Sequence, residues 1–381
     1  MPNISSKLPQ VGTTIFTVMS ALANEEKALN LSQGFPGFSS SPELIDLVTK
    51  YMKKGLNQYA PMPGVPVLRE RIAEKYSKLY GVSFNPETEV TVTSGATQAI
   101  YTAVTSVVRE GDEVIIFTPA YDCYQPSIEL NGGKAVFVQL KYPDYSIDWD
   151  EVKKLINRKT KMIMINTPHN PTGACLGEKD LQQLDKLTAN SDILVLSDEV
   201  YEHIIFDGHP HLSVGKYPGL ASRSFIVASF GKTFHNTGWK LGYCIAPEPL
   251  MTEFRKVHQY IVFASNTPMQ YALAEYLEKE DHYLYLNDFY QKKRDVFLEA
   301  ISGSRFKPIA CHGTYFQLLD YSEISDLKDT EMAIKLTKEH KIASIPVSVF
   351  YNKHVDNHVL RFCFAKEEED LMRAGEILKG V

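Results

Sequence analysis

The chain has 381 residues, 44% of them hydrophobic, and a formal net charge of −6. That length allows roughly two or three domains of ~150 residues and a sizeable apolar core. The acidic balance argues against a broad surface for nucleic acid or an anionic membrane, and no apolar run approaches the roughly 20 residues that span a bilayer. Residues Met1 to Lys7 lack the basic, apolar, small-residue order of a secretory signal. Five scattered cysteines (Cys123, Cys175, Cys244, Cys311, Cys363) include no C-x-x-C pair, which excludes a zinc ribbon, argues against a disulfide framework and points to a reducing cytoplasm.

The first forty residues, with Ser, Gly and Pro gathered near Gly34-Phe-Pro-Gly-Phe38, are expected to form an arm packed between two domains. Seven β-type runs follow: Val90–Thr93, Glu113–Phe117, Ala135–Val138, Lys161–Ile165, Ile193–Leu196, Phe225–Ala228 and Leu241–Ile245. Several are continuously apolar, as expected of strands covered on both faces. Helix-length segments such as Gln98–Arg109 and Lys179–Asn190 separate most of them. This rhythm predicts an α/β domain with a mostly parallel seven-stranded sheet flanked by helices. Amphipathic helices near Pro268–Glu280, Tyr285–Ser302 and Asp329–His340 then alternate with strands at Thr314–Leu319 and Val359–Phe364, which predicts a smaller α+β domain. The charge run Lys366–Asp370 reads as the solvated first turn of a last helix. The expected division is 1–45 for the arm and part of the small domain, 46–280 for the large domain and 281–381 for the small C-terminal domain.

Polar residues gather where the apolar runs end, the place where open α/β sheets bind ligands. Thr93-Ser-Gly-Ala-Thr97 opens a helix and reads equally as an anion site or a capped turn. Neither the dinucleotide nor the P-loop glycine pattern is present. Asn170-Pro-Thr-Gly173 is by itself a common turn. Asp198, one serine past four apolar residues, is either a helix N-cap or a buried carboxylate in need of a cation. Lys232 lies between two predicted strands with Lys240 nearby, and such a lysine can lose its proton and act as a nucleophile. Arg361, inside an apolar run, reads alone as half of a structural ion pair. His169, His203, His209, His211 and His312 show no metal-ligand spacing and read as ordinary loop or surface histidines, and Cys123 as a small packing residue.

Taken in chain order, the Gly-Ala-Thr turn, Asn-Pro-Thr-Gly, Ser197-Asp-Glu-Val-Tyr201, Ser229-Phe-Gly-Lys232, Thr237-Gly-Trp-Lys240 and Arg361 resemble the aspartate-aminotransferase-like, fold type I pyridoxal-phosphate enzymes. The segments Leu31–Pro36, Asn57–Pro61 and Tyr121–Tyr124 are most similar to the methionine and kynurenine aminotransferase branch. The resemblance implies that Lys232 holds pyridoxal 5′-phosphate as a Schiff base and moves the substrate proton. It also implies that Asp198 pairs with the pyridinium nitrogen, while Tyr201 and Asn170 bond the ring oxygen and Tyr121 stacks on the ring. Ala96, Thr97, Ser229 and Lys240 would bind the phosphate, joined by Tyr59 from across a homodimer interface. Arg361, helped by Asn170 and the Gly34 backbone, would take the substrate α-carboxylate. The family's Gly-Phe-Pro-Asp is Gly34-Phe-Pro-Gly37 here, which removes an acidic group from the arm.

The implied activity is a cytoplasmic, homodimeric aminotransferase that passes an amino group from an amino acid to a 2-oxo acid by a ping-pong route. Methionine is the expected donor, because no second arginine for a dicarboxylate is evident and Phe16, Phe35, Phe38, Tyr121 and Tyr315 favour a large apolar side chain. Aromatic amino acids and kynurenine are the alternatives. Rival readings are a cysteine-conjugate β-lyase and a catalytically idle cofactor-binding regulator.

Overall fold

The computed structural model describes residues 4–353 and 355–381. In chain order the strands are β1 (Leu29–Asn30), β2 (Val90–Thr93), β3 (Glu113–Thr118), β4 (Lys134–Gln139), β5 (Thr160–Asn166), β6 (Leu194–Asp198) and β7 (Ser224–Ser229). They continue with β8 (Gly242–Ile245), β9 (Lys307–Pro308), β10 (Phe316–Asp320), β11 (Ile342–Ala343), β12 (Ile345–Pro346) and β13 (Val359–Cys363). The seven apolar runs of the sequence become β2 to β8, joined in the order β2-β8-β7-β6-β5-β3-β4. β8 alone runs against its neighbours β2 and β7, and the other paired strands are parallel.

The continuous apolar runs arise because side chains point alternately to two buried faces. Val114, Ile116, Met162, Met164, Phe225 and Val227 pack on one side with Ala99, Ile100, Ala103 and Val104 of helix Ala96–Val107. Ile115, Phe117, Ile163, Ile165, Ile226 and Ala228 belong to the opposite core, shared with Leu181, Leu184 and Ile72. A one-residue slip of register would exchange these two sets.

A second layer is built from β12-β13-β10-β9, all antiparallel, and from β1 paired in parallel with β11. Helices Leu286–Ala300 and Glu368–Lys379 pack on each other. The N-terminal segment contributes to both layers. Helix Ile15–Glu25 packs on Asp329–Glu339, β11 and β12, whereas helix Pro42–Lys53 packs on Thr267–Tyr276 beside the large sheet. One sequence expectation needs correction here. Glu368 does meet solvent as an ion pair with Lys292 at 2.6 Å, but Lys366 is buried, with its ammonium on the Phe35 carbonyl at 3.2 Å. The arm covers it. The backbone N–H of Gly37 reaches the Ala365 carbonyl at 2.8 Å, so the arm is held here without the missing acidic side chain.

Candidate active site

The carboxyl ends of the parallel strands open on a cavity of about 670 Å³ including its mouth, the position where open α/β sheets bind ligands. Ala96, Thr97, Tyr121, Asn170, Asp198, Tyr201, Ser229, Lys232 and Lys240 line it. Gly34, Tyr59 and Arg361 are not in its wall.

The floor of the anion end is the turn between β2 and helix Ala96–Val107. Gly95 enters that helix at φ +83°, a conformation costly for other residues, and the first-turn amides of Ala96 and Thr97 have no intrahelical partner. A Cβ at Gly242 would meet the Ala228 carbonyl oxygen at 2.6 Å and the Ala96 nitrogen at 3.1 Å, so only glycine lets β8 approach this turn. Lys240, itself at φ +56°, places its Nζ 3.5 Å from the Cβ position of Gly95. Helix amides and an ammonium thus converge on one end of the cavity, the arrangement that holds phosphate groups.

Asp198 ends β6 and is 3% exposed. The Tyr124 hydroxyl donates to Oδ2 at 2.6 Å and the Val200 amide to Oδ1 at 3.3 Å, but no cation among the described residues pairs with it. Burial pushes its pKa up to about 6, against the opposing pull of those two hydrogen bonds. The sequence left a choice between N-cap and unpaired carboxylate, and the geometry gives a carboxylate open to a cationic ligand.

Lys232 sits on the four-residue helix Phe230–Thr233 after β7. Its Nζ donates to the Tyr315 hydroxyl oxygen at 2.8 Å and to the Gly34 carbonyl at 3.2 Å, between the rings of Tyr201 and Tyr315. Desolvation first, then the positive charges of Arg361 and Lys240, bring its pKa down to about 8. A fraction of the amine is therefore unprotonated near neutrality, as a nucleophile requires.

Arg361, in the middle of β13, is 1% exposed. Nη1 donates to the Asn170 side-chain oxygen at 2.8 Å and Nη2 to the Ser32 carbonyl at 3.3 Å, while Nε has no partner. The guanidinium lies 3.8 Å from the ring centre of Phe316, with Phe16 and Phe350 beyond. No acidic side chain among the described residues forms an ion pair with it. The structural ion pair that the sequence alone suggested is absent, and a buried cation with a free edge calls for an anion. Burial pushes its pKa down to about 10, so it is still charged at neutral pH.

Pyridoxal 5′-phosphate fits this donor set. The cavity holds an amine of lowered proton affinity for an aldehyde, an unpaired carboxylate for a ring N–H and an anion cradle for a phosphate. Tyr59 is 84% exposed and packs edge-on against Phe263, away from the cavity of its own chain.

Comparison with known proteins agrees with the geometry. Residues 26–378 match the aminotransferase class I and II family. A methionine aminotransferase of Escherichia coli is 49% identical over 98% of this chain and 97% of its own length. A solved Escherichia coli structure described as having methionine aminotransferase function superposes with a TM-score of 0.98 at 49% identity, covering all of both chains. Kynurenine–oxoglutarate transaminase 1 of Mus musculus is 35% identical over 92% of this chain and 91% of its own length. The chain belongs to the class I and II aminotransferases, pyridoxal-phosphate-dependent transaminases of fold type I.

Sequence reasoning missed several neighbours of the site. Tyr315 was read only as part of an apolar wall, yet its hydroxyl bridges Lys232 and the Gly34 carbonyl, donating to the latter at 2.6 Å. Tyr124, whose hydroxyl holds Asp198, was legible only as part of a family segment. His169 and His203 do lie in loop and turn segments, but they are buried and not at the surface. His169 contacts the Thr172 hydroxyl at 2.7 Å, and His203 joins a buried network in which Lys75 pairs with Glu202 at 2.5 Å. His211 is half-buried against Glu199 at 2.9 Å, His312 is half-buried, and His209 is exposed. No His/Cys/Asp/Glu group able to hold a metal occurs among the described residues.

Proposed function

We propose that this chain is an aminotransferase whose preferred donor is methionine, with aromatic amino acids as further donors and a 2-oxo acid as acceptor. The observation that carries the reading is the buried, acid-free Arg361 joined through Asn170 to the cavity that contains Lys232. The 49% identity to a methionine aminotransferase over nearly the whole chain supports the choice of donor. So does the apolar surround of Arg361, namely Phe16, Phe316 and Phe350.

When bound, pyridoxal phosphate supplies an electrophilic carbon and a ring that takes up the electron pair released at substrate Cα. Lys232 would hold the cofactor and its amine would carry the proton to and from substrate Cα, with the Tyr315 hydroxyl keeping its nitrogen in place. Asp198 keeps a ring N–H protonated, and Tyr124 fixes the orientation of that carboxylate. Tyr201 and the Asn170 –NH₂ donate to the ring oxygen, since the Asn170 carbonyl oxygen is taken by Arg361. Tyr121 covers the ring face. Ala96, Thr97, Ser229 and Lys240 hold the phosphate. The Arg361 fork pairs with the substrate α-carboxylate, assisted by Asn170 and the Gly34 backbone.

We further infer a homodimer in which Tyr59 serves the site of the second copy, which accounts for an aromatic residue left 84% exposed. Five cysteines, none in a disulfide, suit a cytoplasmic enzyme, and no helix among the described residues is long and apolar enough to cross a membrane. The division at residues 45 and 280 into arm, large domain and small domain belongs to the same proposal. Kynurenine transamination and cysteine-conjugate β-elimination form the second reading, favoured by the 35% identity to a kynurenine transaminase. A screen of amino acids for half-reaction with the loaded enzyme tests the choice: methionine should react fastest. Pyruvate and ammonia released without any acceptor acid would favour the lyase.

A further inference from the structure

A second cavity lies outside the walls of the first. It measures about 660 Å³ including its mouth and is lined by Phe38, Phe234, His235, Tyr285, Phe289 and Lys293, among others. Three consecutive cations of helix Leu286–Ala300 differ in their partners. Lys292 pairs with Glu368 at 2.6 Å, and Arg294 holds Asp207 through two bonds of 2.7 Å. Lys293 lies between them in sequence and is 5% exposed, yet it forms no ion pair among the described residues. One N–H of its ammonium meets the Lys366 carbonyl at 2.7 Å, and the charge lies over the rings of Phe38 (4.9 Å) and Phe289 (5.1 Å). A buried ammonium with spare donors is costly unless an anion completes it.

A second, independent feature faces the same space. His235 is held at φ +56°, uncommon for a residue other than glycine, and its buried Nε2 has no hydrogen-bond partner. Its ring packs edge-on against Phe38 at 4.8 Å and stacks on Phe289 at 5.6 Å. Glu367, exposed, is the one acidic residue in the lining, and with Glu368 it is near enough to act on the Lys293 charge without forming an ion pair with it.

We propose that this cavity is a second binding site for a small aromatic carboxylate, distinct from the Arg361 site. The carboxylate pairs with the Lys293 ammonium, and the ring lies among Phe38, His235, Phe289 and Tyr285. Its walls connect to the chemistry. Thr233, Phe234 and His235 continue the turn that carries Lys232, and the Ser40 hydroxyl of the arm donates to the His235 carbonyl at 2.9 Å. A ligand here is sandwiched between the arm and that turn.

The test is a calorimetric titration of 3-phenylpropionate into the cofactor-loaded enzyme. Two equivalents per chain are expected in the wild type and one in Arg361→Met. The second site should be lost in Lys293→Met and weakened at least tenfold in Tyr285→Glu, which places an anion at a half-exposed rim position without disturbing the core. A single equivalent that disappears in Arg361→Met would overturn the proposal and leave the functional reading intact. Two equivalents persisting in both Lys293→Met and Tyr285→Glu would also overturn it. If Arg361→Met keeps both equivalents while Lys293→Met loses one, this site stands and the role of Arg361 falls.

Discussion

The Arg361 guanidinium donates to the Asn170 side-chain oxygen at 2.8 Å across a sequence gap of 191 residues, and forms no ion pair with a carboxylate among the described residues. β13 of the small layer thereby meets the end of β5 in the large sheet. A residue from each layer is needed to define the substrate end of the site.

Replacing Arg361 by methionine should lower kcat/KM for methionine by roughly 100-fold, because a lost charge-assisted pair is worth about 3 kcal/mol. Cofactor content should be unchanged. Thermal stability should be equal or higher, since an uncompensated buried charge has been removed. Steady-state kinetics beside a melting curve decides this, and a large drop in stability would mean a structural role.

Asp198 gives a pH prediction whose sign follows from its raised pKa. The folded protein without cofactor holds the proton up to about pH 6, whereas an unfolded aspartate loses it near 4. Ionisation of Asp198 therefore costs stability as pH rises through about 4 to 6, by up to about 3 kcal/mol. Cofactor-free Asp198→Asn should melt above cofactor-free wild type at pH 8, with the gap closing towards pH 4. The same variant should bind cofactor yet transaminate at least ~1000-fold more slowly. Melting curves at both pH values and a single-turnover assay check the two halves.

The low proton affinity of Lys232 should be visible without catalysis. In cofactor-free protein its modification by a small amine-reactive reagent should rise with a midpoint near pH 8, against about 10.4 for an ordinary lysine. Peptide mass spectrometry reads the site directly. Tyr315→Phe removes the hydroxyl at 2.8 Å and should cut kcat by about 2- to 10-fold, the cost of one neutral hydrogen bond.

Tyr59→Ala should weaken cofactor retention although Tyr59 lines no part of its own chain's cavity. Dialysis followed by absorbance of the bound cofactor measures the loss. Retention equal to wild type would remove Tyr59 from the proposed shared site.

The large sheet was legible because its strands are buried on both faces, so β5 and β7 appear as unbroken apolar runs with polar residues at their ends. Lys232, Asp198 and Asn170 followed from those ends together with the family resemblance. Tyr315 and Tyr124 were not assigned roles, because a tyrosine hydroxyl has no positional signature when its partner is far away in the chain, 74 residues for Tyr124 and Asp198 and 83 for Tyr315 and Lys232. The Lys75–Glu202 pair was invisible for the same reason: helix Pro66–Tyr80 and the segment after β6 meet only in three dimensions. Burial of His203 follows from that meeting. The ambiguity of Arg361 could be resolved only in three dimensions, where no acidic side chain among the described residues pairs with it although the Asp122 carboxyl is near enough to feel its charge.

The central claim is tested most directly by mixing L-methionine, without acceptor acid, with cofactor-loaded wild type and with Lys232→Ala, and following the cofactor spectrum. The wild type should convert its cofactor to the amine form, with 2-oxo acid released in equal amount, while Lys232→Ala should show no comparable conversion. Conversion at the wild-type rate in Lys232→Ala, or a wild type that ignores methionine, would contradict the account.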